Sequence, residues 1–244
     1  MRNYIDFIKE NKITHKKLDN RFWDNLILND NIRNKLLEIA EDFYNNLELK
    51  IDIHDVKLTG SIANYNYHKN SDLDVHIIID LNEYDGDTEV LLDMIKSKTF
   101  IWNLKHDINI RGADVELYIQ DKNESHISTG LYSLKNTKWI KEPKYTDPEV
   151  DDDDVKSKYD RWVFEILKLE KYIDDDIIDD VKREYFDRSE KLKKKLSNFR
   201  KKGLHKGNGE FSVENVTFKK LRRDGYIDKL YDVSINIYDS IFSQ

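Results

Sequence analysis

The only two prolines of the chain, Pro143 and Pro148, fall together in Lys141-Glu142-Pro143-Lys144-Tyr145-Thr146-Asp147-Pro148, just ahead of the acid run Asp151-Asp152-Asp153-Asp154. Proline fixes φ and carries no backbone donor, so a segment holding two of them suits neither a helix interior nor a central strand. The hydrophobic period changes across this segment. Before it, short apolar runs alternate with polar residues as strands do; after it, apolar residues recur at helical spacing. The expected class is therefore α+β: a small mixed β-sheet domain packed with helices over residues 1–145, then an all-helical domain over residues 146–244. At 244 residues the chain is long enough for each part to bury a core.

Within the first part, Ile32, Leu36, Ile39, Ala40 and Phe43 share one helical face, which predicts a helix packed on the sheet. Strands are expected at Val56-Lys57-Leu58, from Leu73 to Ile79 and from Asp114 to Ile119. A helix from Glu89 to Lys98 should turn Val90, Leu91 and Met94 inward. The alternation of Trp102, Leu104, His106, Ile108 and Ile110 predicts a further strand ended by Arg111-Gly112. In the second part, helices are expected from Val155 to Tyr172, from Ile177 to Phe199, after a cap at Ser212, and from Tyr226 to Phe242. A loop from Gly203 to Gly209 should separate the second from the third.

The chemistry-bearing pattern is Leu58-Thr59-Gly60-Ser61, ten further residues, then Asp72-Leu73-Asp74-Val75. Successive strand side chains point to opposite faces, so Asp72 and Asp74 project together while Leu73, Val75, Ile77 and Ile79 enter a core. Two carboxylates held that close repel unless a cation lies between them. Gly60 lets backbone approach a ligand, and Ser61 offers a hydroxyl and an N–H, a combination suited to a triphosphate laid over a turn or helix start, with a short helix expected between this turn and Asp72. With 48 acids in 244 residues, acid-x-acid recurs by chance on the order of ten times. The conjunction of the Gly-Ser turn, the following apolar run and a later acidic strand gives this copy its meaning. In that later strand Asp114, Glu116 and Tyr118 share the face opposite Val115, Leu117 and Ile119.

This stretch resembles the signature of the DNA polymerase β-like nucleotidyltransferase superfamily, on Gly60, Ser61, Asp72, Leu73, Asp74 and Val75, with Thr59 departing from the usual apolar residue. The resemblance implies a third carboxylate on a neighbouring strand; Glu116 is the first choice and Asp114 the reserve. It also implies two Mg2+ ions held by Asp72, Asp74 and Glu116, with Mn2+ able to substitute, and an NTP donor, ATP by default, held at Gly60 and Ser61. The implied reaction transfers an NMP to a hydroxyl with release of pyrophosphate. The acceptor, whether RNA or tRNA, a small molecule or a protein hydroxyl, stays open. A looser likeness links most of the chain to a group of often phage-encoded nucleotidyltransferase-domain proteins, through Ser61-Ile62-Ala63-Asn64-Tyr65-Asn66, His126-Ile127-Ser128-Thr129-Gly130-Leu131-Tyr132-Ser133, Glu210-Phe211-Ser212 and Leu221-Arg222-Arg223-Asp224-Gly225-Tyr226.

Other signals compete. Lys191, Lys193, Lys194, Lys195, Arg200, Lys201, Lys202 and Lys206 form a dense basic run in a chain of net charge −7. Such a run is either a solvated helix face or a surface for phosphates. It sustains one alternative, an RNA-binding protein using its basic helical face; the other is a catalytically silent nucleotide-binding or antitoxin-like module. His126-Ile127-Ser128 is half of a two-histidine phosphoesterase pattern whose second half is missing, so His126 reads as a loop residue. His76 shares the face of Asp72 and Asp74, with a structural role or one in orienting a carboxylate or water. Tyr65, Tyr67 and Tyr132 are candidates for base stacking or for packing. The acids at 151–154 and 174–176 lack a glycine-centred calcium loop and read as turns and helix starts. No Gly-x-x-x-x-Gly-Lys-Ser/Thr occurs, which disfavours a P-loop enzyme. The absence of cysteine, of a signal-peptide core near Met1 and of a long apolar run leads to the expectation of a cytoplasmic protein, in the host cytoplasm if phage-encoded, with no membrane partner.

Overall fold

A computed structural model describes residues 14–69, 71–126, 128–146, 149–170, 178–205 and 209–243. The chain divides into two compact units, residues 1–147 and 148–244. The first is mixed α and β, and the described elements of the second are helical.

The first unit opens with a small hairpin, β1 (Trp23–Asp24) and β2 (Ile27–Leu28), followed by helix α1 (Asp30–Asn45). Asn29 caps α1, its side-chain oxygen accepting from the N–H groups of Asn31 and Ile32. Ile32, Leu36, Ala40 and Phe43 then recur every three or four residues and are all buried. The main strands are β3 (Asp55–Thr59), β4 (Leu73–Ile79), β5 (Asn109–Ile110), β6 (Ala113–Asp121), β7 (Leu131–Ser133) and β8 (Lys138–Lys141), in sheet order β5-β6-β4-β3-β7-β8. Only β4 and β6 run parallel. The parallel pair is bridged by helix α2 (Thr88–Lys105), as a parallel connection requires a long crossover. Leu73, Val75, Ile77 and Ile79 are fully buried on one sheet face with Leu58, Leu117 and the apolar stripe of α1.

Three expectations fail here, each for a local reason. The strand predicted through Trp102 and Leu104 is the last turn of α2, and only Asn109–Ile110 pairs as β5. The side chain of Asn103 explains the change. Its amide donates to Leu117 O (2.9 Å) and accepts from Leu117 N (3.1 Å), covering the stretch of β6 edge beyond β5. Trp102 meanwhile packs on Phe43. Second, Val90 is exposed, and the inward face of α2 is Leu91, Ile95 and Thr99, with Met94 at its margin. Third, no helix follows the Gly-Ser turn. The side-chain amide of Asn64 donates to Gly60 O (2.8 Å), the acceptor that a helical Asn64 N–H would use, while that N–H goes to Ser61 O instead (3.0 Å).

The second unit contains α3 (Asp152–Glu170), α4 (Asp179–His205), α5 (Val213–Arg223) and α6 (Tyr226–Phe242). Their common core is Trp162, Ile166, Leu169, Leu196, Leu221, Leu230, Val233 and Ile237. Asp152, Asp153 and Asp154 occupy the first turn of α3, where carboxylates complement the helix dipole. The acids at 174–176 lie outside the described residues. The loop expected from Gly203 is instead the end of α4. A Cβ on Gly203 would stand 2.5 Å from Ser212 Oγ and 2.6 Å from Glu214 Cβ, so glycine serves there for close approach of the segment that starts α5, not to stop a helix.

Candidate active site

The face of the sheet opposite the core is polar, and strand register lines up its residues. Asp74 sits level with Thr59 of β3 on one side and Glu116 of β6 on the other. Neighbouring strands lie about 4.8 Å apart, so Asp74 and Glu116 are lateral neighbours, both half-buried. Asp72 lies one residue before β4, on the same side by alternation. Asp114 is opposite Asn109 of β5; it is exposed, and its Oδ1 accepts from Asn109 Nδ2 at 2.6 Å. The two candidates for a third carboxylate thus differ in setting, with Glu116 on the rung of Asp74 and Asp114 engaged at the sheet margin.

The Gly-Ser turn folds against this rung. Gly60 adopts φ +75°, and a Cβ placed on it would lie 1.7 Å from Asp74 Oδ2. Glycine is required there both for the left-handed backbone and for the space taken by the carboxylate. Ser61 donates from Oγ to Ser71 Oγ (2.7 Å), which also accepts from His68 N (2.9 Å), so the turn is tied to the residues entering β4. Asn64 ties it to the loop before β7, donating to Ser128 Oγ (3.1 Å) and accepting from Thr129 Oγ1 (2.7 Å).

Further along the same face, alternate residues of three strands make a polar wall. The Tyr118 hydroxyl donates to Glu116 Oε2, fixing that carboxylate from two positions further along β6. His76 Nδ1 donates to Gln120 Oε1 (2.9 Å), and its ring lies 5.0 Å from Tyr118 and 5.8 Å from His126. Lys57, level with His76, donates from Nζ to His126 Nε2 (3.2 Å). Burial, then the charge of Lys57 and the neighbouring His76, pushes His126 down to about 4. Burial also lowers His76, and it lowers the Lys57 ammonium against the opposing charge of Asp55. At neutral pH both imidazoles are therefore uncharged bases.

Sequence spacing places Asp72, Asp74, Glu116 and Tyr118 on this face but does not reveal Lys57 and Gln120 as parts of its wall. The available signal was their alternation with Val56, Leu58, Leu117 and Ile119 in the two strands beside β4. Tyr132 is buried edge-on to the stacked Trp23 and Trp139, Tyr67 stacks on His15 at 4.0 Å, and Tyr65 packs edge-on to Tyr145; all three are engaged in packing.

Among the described residues, the oxygens of Asp72, Asp74 and Glu116 do not all converge within 4.8 Å of one another; the group that does is His54, Asp80 and Glu83. That second group flanks the other end of the sheet, just before β3 and just after β4. Its buried member is already satisfied. Asp80 takes the Lys122 ammonium and the Asn82 backbone and side-chain amides, and Lys122 above all holds its carboxyl below the usual range. No protein-family model, curated protein or solved structure matches the chain. Among the described residues, no helix is long and apolar enough to cross a membrane.

Proposed function

We propose that the chain is a metal-dependent nucleotidyltransferase that transfers an NMP from an NTP to a hydroxyl acceptor and releases pyrophosphate. One observation carries this reading: Asp74 and Glu116 stand side by side on parallel strands, and the Asp74 carboxylate rests against a glycine turn where a side chain would strain the backbone and displace the carboxylate. Asp72, two residues before Asp74, completes a set of hard oxygen donors of the kind that Mg2+ takes. Asp72, Asp74 and Glu116 would hold the two ions that the resemblance implies. When bound, the ions supply activation of the acceptor hydroxyl and neutralisation of the leaving pyrophosphate.

The chain's own residues do the positioning. Tyr118 holds the Glu116 carboxylate in one orientation. The bend at Gly60 and the Ser61 N–H offer a cradle for the triphosphate, braced by the Ser61–Ser71 hydroxyl contact and by Asn64. Phosphoryl transfer asks mainly for such alignment and charge stabilisation.

The test is label transfer. The purified chain is incubated with each radiolabelled NTP and Mg2+, with and without cellular RNA and lysate. Incorporation of label into an acceptor fraction, abolished by EDTA, is the expected result. No labelled acceptor and no pyrophosphate with any NTP would refute the reading.

A further inference from the structure

The long basic helix of the second unit carries a stripe that its fold leaves unneutralised. Lys191, Lys195 and Lys202 recur at four and seven residues along one side of α4, beside the buried Leu192–Leu196 seam, with Lys194 next to them. Elsewhere on this unit some bases have carboxylate partners: Lys193 pairs with Glu190, Arg188 with Glu184 and Lys158 with Asp154. Among the described residues, Lys191, Lys194, Lys195 and Lys202 have no such partner. These four line a recess of about 450 Å3, whose floor is Trp162 and Phe199, with Asn198 at its side. Lys195 Nζ lies 5.9 Å from the Trp162 ring centroid, so the ammonium is held over an aromatic face rather than by an acid. A second recess continues from it, sharing Lys191 and Lys195 and adding Lys168 and Arg188; Glu165 is its one acid.

We infer that this furrow binds a single strand of nucleic acid through its phosphates. From Lys191 to Lys202 the stripe runs about 16 Å along the helix, enough to follow several consecutive phosphates. Leaving four lysines together without counter-ions costs self-repulsion in an otherwise acidic chain, and a polyanion relieves that cost by releasing its own condensed counter-ions. The aromatic floor favours nucleic acid over an acidic peptide, since bases present flat faces that stack on Phe199 whereas carboxylates do not. The inference stands apart from the transferase reading, because the furrow lies in the other unit and uses none of its carboxylates.

The experiment is fluorescence anisotropy of a labelled mixed-sequence RNA twelve-mer with the full chain, titrated at several salt concentrations. A single-strand phosphate contact contributes about −0.7 to the slope of log affinity against log salt, so four lysines give a slope of about −3. Lys191→Gln, Lys195→Gln and Lys202→Gln together should flatten it by about 2 and weaken low-salt binding by about tenfold or more. A variant with the same net charge, carrying Lys17→Gln, Lys50→Gln and Lys98→Gln, should bind as wild type. The matching DNA strand should bind within a few-fold of RNA, because phosphates carry the contact. A slope near zero, equal loss in both triple variants, or equally tight binding of polyglutamate would overturn the inference. The last result would identify an acidic protein partner instead.

Discussion

Asp74 Oδ2 fills the space that a side chain at position 60 would need, 1.7 Å from where the Cβ would stand, and Gly60 holds a left-handed φ of +75°. Gly60→Ala must both strain the backbone and displace the carboxylate. A destabilisation of about 1–3 kcal/mol is expected from the backbone alone, read as a lower urea midpoint, together with loss of transfer activity. An alanine variant of wild-type stability and activity would show that the turn does not support Asp74.

Tyr118→Phe removes the hydroxyl that fixes Glu116 and leaves the ring packed beside His76. Folding should be unchanged. Because the hydroxyl acts through Glu116, kcat should fall by about tenfold, roughly 1.4 kcal/mol, with little change in KM for the nucleotide. A variant that loses stability instead would make the hydroxyl a packing element.

His126 gives the chain an acid-side weakness. Its imidazole is pushed down to about 4 by burial first, then by Lys57 and His76, whereas an unfolded histidine titrates near 6.5. Between these values the unfolded chain binds a proton that the folded chain refuses, so stability falls as pH drops from about 6.5 towards 4 and levels off below. His126→Gln should flatten that part of the profile, measured as urea midpoints at pH 7, 5.5 and 4.5. An unchanged slope would mean that His126 takes up its proton in the folded state near the ordinary value.

Ser212 caps α5, accepting from Asn215 N at 3.2 Å, and also meets the tight approach of Gly203. Ser212→Ala should cost about 1 kcal/mol in chemical denaturation without touching activity. Loss of transfer activity by the folded variant would mean that the cap does more than hold a helix.

What could be read in advance followed from strong periods and local punctuation. The boundaries of β4 and α6 were legible because Leu73–Ile77 alternates before the apolar run to Ile79, and Gly225 stands immediately before Tyr226. The side of the sheet carrying Asp72, Asp74 and Glu116 followed from the two-residue period alone. The tail of α2 was misread because Trp102, Leu104, His106 and Ile108 alternate like a strand while also fitting a helix, and the choice was made by Asn103 pairing with distant Leu117. The turn after Gly60 was misread because Asn64 substitutes its side chain for its backbone. The Lys57–His126 contact joins residues 69 apart in sequence, and no local pattern announces it.

The central claim is that Asp74 and Glu116 perform chemistry together, and the most direct measurement is pyrophosphate release from an NTP with Mg2+ by the wild type, Asp74→Asn and Glu116→Gln. Either substitution should keep the fold, judged by circular dichroism, and lower the rate by about three powers of ten or more, roughly 4 kcal/mol. The double variant should be no slower than the worse single one, as for groups acting as a unit. Folded single variants that release pyrophosphate at the wild-type rate would contradict the account.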